Sequence, residues 1–594
     1  MSAKRAKALR AGLDPDFHEL LVQLSKTASA TTQRNLLAAE VQSLRLLAAA
    51  PPSKSKASKS RLLVRAMFCE MMGFDTSDFA YLQAVTLCQD SRNLFEKRLA
   101  HLVAAIFMQS GHELSLMMTN TLQRDLCSSN VFEVAMALGV VAATATTDMI
   151  PSLVRFVEQC LKHDNEMIRR KALLTLHHFY RIDPEAMQPY IKKMKRCLAD
   201  PHPGVMSAAL VALHTVVLAQ PSAHGSLAPA VVHILRQILE HRLDVSYNLH
   251  GVPAPFEQVN CMRLLALFEP LSAVVEDAIT QTLLDALHKV DTNQQDNVAY
   301  MVMLQCVETL AVRRGTQGAL REVWEMLLRL FQSESGIDQH VAIEGIIVLA
   351  KQRPDMVRGQ EHGLIAAFEE HGDDTVLRHG ILTALESMCS DTDAAVALVP
   401  LFVAHIRSLV GEGNMALQAQ VADGLLAHVQ RYPGMDPVAK SKALLDAFAE
   451  LSDPCRRRLT NTIRVWAADG MLSKEMGVVY ALGWLADEAL PSHKIWLAVW
   501  MCGHWRAVQA VDALTGVLEL ARQHDATVDP ELVAHTIETS MRLCTLPGAA
   551  FGFAIVAAVR AFEGSGNIAV ANRVRQFMEA ATANGAFTKP SATF

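Results

Sequence analysis

The chain has 594 residues, of which 51% are hydrophobic, 6% aromatic and 20% charged, and its formal net charge is −6. This profile favours packed helices over β-sheets, which are enriched in β-branched and aromatic residues, and the negative charge argues against a protein that binds nucleic acid along its length. The 11 cysteines include no Cys-x-x-Cys pair, as expected for a protein of the reducing cytosol.

A mean hydropathy of +0.17 makes a membrane-spanning helix worth testing. The run at residues 549–559, interpreted as the most apolar of the chain, is interrupted by Arg560. It is well short of the roughly 20 residues that a membrane-spanning helix needs. The sequence is therefore predicted to contain no transmembrane helix.

Residues 1–50 are predicted to form N-terminal helices, with leucine-rich stripes between residues 17 and 47. Residues 51–61 read PPSKSKASKSR, and this Pro, Ser and Lys content predicts an exposed basic loop. The loop is either simply solvated or in contact with anionic lipid headgroups, a contact worth ~1 kcal/mol per positive charge near a membrane. The residues that would make this contact are Lys54, Lys56, Lys59 and Arg61.

Short motifs follow in order between residues 71 and 126. Gly73 is predicted to end one helix and Asp75 to cap the next. The motif residues are Met72, Gly73, Phe74, Asp75, Phe79, Tyr81, Leu82, Ala84, Glu96, Lys97, Arg98, Glu113, Leu114, Thr119, Asn120, Asp125 and Leu126.

Residues 166–221 hold two apolar helices that repeat each other at a shift of 37 residues. Gly345 and Gly380 occupy equivalent places in a further pair of repeats, where a small residue allows close helix packing. Two-helix units of this length cannot bury their apolar faces alone, so residues 62–590 are predicted to form an all-α, HEAT/armadillo-like α-solenoid. The matched apolar positions are Ile168, Ala172, Leu173 and Leu176, then Val205, Ala209, Leu210 and Leu213.

A connector interrupts the helices near residue 250. Gly251, Pro253 and Pro255 are poorly suited to a helix interior, which predicts a sharp turn before a helix at residues 256–267. Arg263 lies within that helix.

The motifs between Met72 and Leu126 resemble the N-terminal trunk of the large adaptins, the helical subunits of heterotetrameric vesicle-coat adaptor complexes. The VPAP sequence at residues 252–255 resembles the epsilon type of the fourth adaptor complex, although Met262 stands where that family has Leu. A gamma- or alpha-type clathrin adaptor subunit is the alternative. The family-signature residues, interpreted as structural, are Gly73, Asp75, Tyr81, Pro253, Pro255 and Arg263.

The resemblance implies a cytoplasmic protein, peripheral on trans-Golgi and endosomal membranes. It would pair with a beta-type large adaptin and with medium and small subunits, and would meet cargo tails indirectly. It also implies recruitment by an Arf-family GTPase through Leu82, Val85 and Met117, although a core role is equally open for each. Ser25 stands where clathrin adaptors place an Arg for dileucine signals, which leaves that recognition in doubt. Clathrin is not expected as a partner of the epsilon type, and no hinge or ear domain is recognised.

No catalytic or metal-binding motif is apparent in the sequence. We therefore predict a binding protein, not an enzyme, with no cofactor and no nucleic-acid partner. The alternative outside the adaptins is a free-standing HEAT-repeat scaffold.

Two basic clusters, at residues 192–196 and 456–458, are either solvated faces or contact sites. Four of the six tryptophans lie at residues 484–505, as core or as a partner-facing patch.

Overall fold

The computed structural model describes residues 15–27, 29–49, 56–90, 93–107, 115–291, 297–313, 316–372, 374–389, 391–486, 493–523, 529–547, 549 and 551–584. Within these ranges the regular elements are helices, and the β-type pairing is one isolated bridge between Leu249 and Val252. This confirms the all-α prediction. The chain divides into two compact units, Met1–Gly315 and Thr316–Phe594.

The first unit begins with two N-terminal helices, as predicted, and continues as a series of helix pairs. Its helices are α1 (Pro15–Lys26), α2 (Ala30–Ala49), α3 (Lys56–Met71), α4 (Ser77–Asp90), α5 (Leu94–Phe107), α6 (Ser115–Leu126), α7 (Val131–Thr144), α8 (Ile150–Cys160), α9 (Glu166–Ile182), α10 (Pro184–Arg196), α11 (Pro203–Ala219), α12 (Ala228–Leu239), α13 (Pro255–Leu267), α14 (Ala273–Asp291) and α15 (Asn297–Val312). Since α3 begins at Lys56, the loop predicted at residues 51–61 was too long. Its second half is helical.

The helix pairs stack in two rows. The odd-numbered helices from α3 to α15 pack side by side in one row, and the even-numbered helices cover them. The repeat predicted at residues 166–221 is formed by α9 and α11, which are neighbours in the odd-numbered row. All eight matched side chains are fully buried, because their helical spacing places them on one face of each helix. The predicted repeat is confirmed.

Charged side chains link successive repeats. Arg169 on α9 holds Asp200 through two hydrogen bonds, Nε to Oδ2 at 2.8 Å and Nη2 to Oδ1 at 2.9 Å. Arg263 on α13 donates from Nε to Oε1 of Gln305 on α15, at 3.0 Å. The two parallel bonds of Arg169 are of the directional, charge-assisted kind that fixes the register between adjacent repeats. Arg263 thus links two repeats, and the structural role assigned to it as a signature residue stays a prediction.

The predicted connector precedes α13 and satisfies its own backbone groups. Leu249 and Val252 exchange two backbone hydrogen bonds of 3.0 Å each, and Gly251 has the positive φ of +83° that this tight reversal needs. Gln258 donates from Nε2 to the carbonyl of Pro253 at 2.6 Å, tying the turn to the helix that follows. Pro255 occupies the first turn of α13, where its missing N–H has no helical partner.

The second unit repeats the two-row arrangement. Its helices are α16 (Gln317–Phe331), α17 (Gly336–Gln352), α18 (Pro354–Val357), α19 (Glu361–Glu370), α20 (Thr375–Met388), α21 (Thr392–Glu412), α22 (Met415–Arg431), α23 (Pro437–Glu450), α24 (Asp453–Ala468), α25 (Lys474–Leu485), α26 (His493–His504), α27 (Val511–Gln523), α28 (Pro530–Cys544), α29 (Phe553–Arg560) and α30 (Ile568–Ala583). From α21 onward, the odd-numbered and even-numbered helices again form separate rows.

Glycines bring helices of the second unit together. A methyl group at Gly345 on α17 would lie 2.5 Å from Cδ2 of Leu327, and one at Gly380 on α20 would lie 2.7 Å from Cγ2 of Ile343. Both distances are far below a normal contact of ~3.5–4.0 Å between carbon atoms. The close packing predicted at these two positions is confirmed.

The prediction about apolar runs needs a correction. Thr392–Val410, within α21, is longer than the run at residues 549–559, and by length and composition alone it could span a membrane. In the structure α21 packs against α20, α22 and α23 within the second unit. Of this stretch, 39% is buried within the structure.

Candidate functional site

The predicted GTPase-contact residues lie on neighbouring helices of the even-numbered row. Leu82 on α4 and Met117 on α6 are 48% and 49% exposed, whereas Val85 is only 3% exposed. Leu82 and Met117 are thus available to a partner, and their role stays a prediction. The burial of Val85 favours the core role that the sequence also allowed.

The predicted lipid-contact residues lie at or before the start of α3. Lys54 lies outside the described residues, and Lys56 begins the helix with a side chain that is not described. Lys59 is half-buried and Arg61 is exposed. Positive charges in the first turns of a helix oppose the helix dipole, so helix stability does not explain this composition. The lipid contact stays a prediction.

The signature residues near α4 shape the chain between two helices. Gly73 has a φ of +87°, and the amide of Phe74 donates to the carbonyl of Cys69 at 3.1 Å, the bond that closes a Schellman motif at the end of α3. Asp75 Oδ1 accepts from the backbone and the hydroxyl of Ser77, at 3.0 and 2.6 Å, which starts α4. Tyr81 is half-buried one turn later.

Ser25 is exposed near the end of α1, and its hydroxyl donates to the carbonyl of Val22 at 2.9 Å. A side chain bonded to its own helix offers no positive charge to an acidic signal.

Both basic clusters make internal contacts. On α10, Lys193 pairs with Glu158, and Lys195 Nζ lies 3.1 Å from Nδ1 of His224. On α24, Arg456 donates to two backbone carbonyls at the end of α23, at 3.1 and 3.0 Å. These contacts support a structural role for the cationic side chains that make them.

An apolar groove of about 680 Å³ runs across α5, α7 and α9, on the odd-numbered row. The space above Gly139 in the groove is open: a methyl group at this residue would meet no atom within 4 Å. Phe132 is 63% exposed at its edge, and the charged side chains of Arg98 and Lys171 also line it. The remaining lining residues are Leu94, His101, Leu102, Ala105, Ala135, Met136, Val140 and Met167.

A buried charged cluster lies directly beneath the groove. Lys97 Nζ donates to Asp125 Oδ1 at 2.7 Å and lies 3.3 Å from Glu133 Oε2. His101 donates from Nδ1 to the carbonyl of Lys97 at 2.7 Å, and its Nε2 is 3.1 Å from Asp125 Oδ2. These charges hold α5, α6 and α7 together below the groove floor, because separating buried opposite charges is costly.

The cluster raises the pKa of His101 and lowers the pKa of Asp125, so that both groups are charged. Burial by itself would lower the pKa of His101, but the interactions with Asp125, Cys88 and the Lys97 carbonyl outweigh it and raise that pKa to about 10. Burial likewise opposes ionisation of Asp125, yet His101 and Lys97 together lower its pKa. His101 is therefore a cation at neutral pH and serves as structural support for the groove.

Sequence reasoning missed the groove, although α7 carries a signal for it. Its sequence, VFEVAMALGVVAAT, is apolar on nearly every side. A helix of this kind needs cover all round, yet Phe132 remains exposed in the isolated chain. The site can bind an apolar protein surface. Among the described residues, no group of three or more His, Cys, Asp or Glu could hold a metal ion.

Comparison with known proteins identifies the family. A model of the family described as "Adaptin N terminal region" matches residues 37–412. The AP-4 complex subunit epsilon-1 of Mus musculus is 34% identical over 291 residues, which cover 49% of this chain and 26% of that protein. The AP-4 complex subunit epsilon of Arabidopsis thaliana is 28% identical over 369 residues, or 62% of this chain and 38% of that protein.

A gamma-type relative is less similar: the AP-1 complex subunit gamma-like 2 of Homo sapiens is 23% identical over 379 residues, covering 63% of this chain and 47% of that protein. Among solved structures, a chain described as "Homology model of the full-length AP-3 complex in an intermediate open conformation" matches with a TM-score of 0.42 and 16% identity, covering 88% of this chain and 94% of that one.

The chain spans less than half the length of these curated relatives. Its resemblance to the epsilon type is confirmed, since the epsilon relatives are more similar to it than the gamma-type one. The prediction that it is not an enzyme is confirmed as well, because the relatives are subunits of adaptor complexes. With more than half of its residues matched to the family, the chain belongs to the adaptins, through their N-terminal region.

Proposed function

We propose that the chain is the trunk of a large subunit, most like epsilon, in a vesicle-coat adaptor complex, and that it sorts proteins at trans-Golgi and endosomal membranes. The function is binding. The chain scaffolds a small and a medium subunit and pairs with a beta-type large adaptin, and cargo tails are met through those subunits. The observation that carries the proposal is the uncovered apolar groove across α5, α7 and α9 in a member of this family.

The groove supports this assignment by its chemistry. An exposed phenyl ring, two methionines and a glycine floor form an apolar surface that remains in contact with water in the isolated chain. Exposed apolar patches of this kind mark protein–protein contacts. The small subunit is the occupant that we propose.

Affinity purification tests the assembly. The tagged chain is coexpressed with a beta-type large adaptin, a medium and a small subunit, and the recovered subunits are quantified by mass spectrometry. Equal amounts of all four are expected. A chain that elutes alone as a monomer would contradict the proposal and favour a free-standing helical scaffold.

A matched pair of variants tests the groove itself. Phe132→Asp places a carboxylate on the groove edge and should lower recovery of the small subunit at least tenfold, because the phenyl contact is lost and removing a charged group from water is costly. Phe95→Asp makes the same change at a residue that is 70% exposed on α5 and does not line the groove. Equal recovery with both variants would place the small subunit elsewhere.

Membrane recruitment is proposed to combine an Arf-family GTPase and anionic lipids. The exposed Leu82 and Met117 would contact the GTPase, and the residues around the start of α3 would contact lipid headgroups. We expect binding to anionic vesicles only with the GTP-loaded GTPase, and loss of that binding in a Leu82→Asp, Met117→Asp double variant. Val274→Asp, at another exposed apolar site, is the control. Unchanged recruitment of the double variant would refute this contact.

A further inference from the structure

A second candidate surface lies in the other unit, on the even-numbered row of helices α24, α26, α28 and α30. We call it the basic-aromatic strip. Of the tryptophans at residues 484–505, Trp484 and Trp505 are buried as core, whereas the two on α26 are only half-buried. The strip consists of Arg464, Trp496, Trp500, His504, His535, Arg542 and Arg573.

Arg464 is held between two indole rings. Its guanidinium carbon lies 5.3 Å from the ring centre of Trp496 and 5.2 Å from that of Trp500. The two tryptophans are four residues apart on α26, so their rings share one face of the helix. Each cation–π contact of this kind is worth ~0.5–1 kcal/mol at exposed sites. The side chain is thereby ordered before any ligand arrives.

Histidines stack on the same two rings. The His535 ring lies 5.4 Å from that of Trp496, at an interplanar angle of 23°, and His504 lies 4.8 Å from Trp500, at 9°. His504 also places its Nε2 3.3 Å from the carbonyl of Ala467, at the end of α24. The aromatic stack therefore ties α24, α26 and α28 into one firm surface around Arg464.

The hydrogen-bonding capacity of Arg464 is unused. A guanidinium carries five N–H donors in a planar fork. Across the described ranges, these donors have neither a hydrogen-bond acceptor nor a carboxylate partner. The nearby Glu538 is already engaged by Arg542 and Arg573, with N–O distances of 2.5 and 2.9 Å. The Arg464 side chain is half-buried and held in place by the two indole rings, and its N–H donors are free to bind a ligand.

The charge of the strip is opposite to that of the chain. It contains three guanidinium groups, of which Arg542 and Arg573 pair with Glu538, whereas the chain as a whole carries −6. A ligand of the strip must therefore bring negative charge, and the fork of Arg464 matches a planar carboxylate through two parallel hydrogen bonds. The ring edges of Trp496 and Trp500 add apolar contact area beside it.

We propose that the basic-aromatic strip binds an acidic peptide segment of a partner protein, with one carboxylate on Arg464 and an apolar side chain against the tryptophan edges. A protein segment fits better than a lipid surface. Membrane-binding tryptophans insert their rings among the lipids, but the faces of these rings are covered by Arg464 and the two histidines. The proposal concerns residues outside the groove and does not depend on the small subunit.

A phage-displayed library of random dodecapeptides is the probe. Selection on the full chain, with counter-selection on an Arg464→Gln variant, should enrich peptides that place Asp or Glu beside an aromatic or aliphatic residue. Fluorescence anisotropy then measures selected peptides against versions with Gln in place of the acidic residue. At least tenfold weaker binding is expected for the Gln versions. No enrichment, or enrichment without acidic residues, overturns the proposal.

Matched variants separate the site from general charge. Arg464→Gln and Arg464→Lys should each weaken binding at least tenfold, because neither presents the guanidinium fork. Arg522→Gln removes the same charge from an exposed position on α27, in the other row, and should leave binding unchanged. Thermal unfolding of each variant checks that the fold is retained. Equal losses for Arg464→Gln and Arg522→Gln, or Arg464-dependent binding to vesicles containing phosphatidylserine in place of peptide, would overturn the proposal.

Discussion

Gly477 gives a sharp test of the packing in the second unit. A methyl group there would lie 1.9 Å from Cζ3 and 2.1 Å from Cη2 of Trp505, a buried indole. Normal carbon contacts are ~3.5–4.0 Å, so the ring would have to move by about 2 Å. Gly477 lies on α25 and its surroundings are closely packed, which leaves the ring little room to yield.

Gly477→Ala should therefore destabilise the second unit. Overpacking costs ~1–3 kcal/mol and replacing a helical Gly returns ~0.5–1 kcal/mol. Because the clash is with a buried ring, the upper part of the range applies, and a net loss of up to about 2.5 kcal/mol is expected. The control is Gly483→Ala on the same helix, where the new methyl group meets no atom within 4 Å. That variant should gain ~0.5–1 kcal/mol.

Thermal and urea unfolding, followed by far-UV circular dichroism, measure both variants. The two glycines should shift the midpoint in opposite directions. A third variant, Gly477→Ala with Trp505→Leu, should lose less stability than the sum of its single changes, because the smaller side chain makes room for the methyl group. An increase in stability for Gly477→Ala similar to that of Gly483→Ala would refute the reasoning.

Other predictions concern the buried charges and a helix end. Asp125→Ala removes the carboxylate that His101 faces and leaves Lys97 with Glu133 alone, and it should cost ~3–5 kcal/mol of unfolding free energy. Asp148→Ala, at an exposed site, should change little; near-equal losses would argue against the buried cluster. Gly73→Ala places a Cβ at a φ of +87° and should lower the free energy of unfolding by ~1–2 kcal/mol. Gly73→Asn should lower it less in the same thermal assay. If Gly73→Ala is as stable as the wild type, the assigned helix end is contradicted. Burial, together with the neighbouring His379 and the positive charge of Arg378, lowers the pKa of His405 to about 4, so the unfolded chain binds an extra proton between pH 6.5 and about 4. The stability that neutral His405 contributes should be complete above pH 6.5 and should be lost as the pH falls to about 4. His405→Phe should reduce the slope of unfolding free energy against pH, whereas His362→Gln, at an exposed site, should keep it. Equal slopes in both variants would contradict the assignment.

Much of the fold could be read from the sequence because helical periodicity is local. The spacing of Ile168, Leu173 and Leu176 determines which face of α9 is buried, whatever lies beyond it. The same holds for the turn before α13, since the conformational limits of Gly251 and Pro255 belong to the residues themselves. Helix existence and core positions were accessible for this reason.

Features that depend on neighbouring helices were not accessible. The family resemblance assigned Leu82 and Val85 to the same contact, but only the packing of α4 shows that one is exposed and the other buried. The groove requires α5, α7 and α9 to lie side by side, and Arg464 meets Trp496 only across the contact between α24 and α26. The helical start of α3 was also missed, because Ser and Lys content was read as a loop signal although Lys is a good helix former.

The links between repeats have a consequence for how this protein is made. Arg169 reaches Asp200 31 residues away, and Arg313 reaches the carbonyl of Leu265 48 residues away, so structure within the first unit depends on short chain separations. Chains with such low contact order fold quickly, and each new helix pair finds its docking partner among residues already synthesised. The first unit can therefore grow by addition at its advancing end while the ribosome is still elongating the chain.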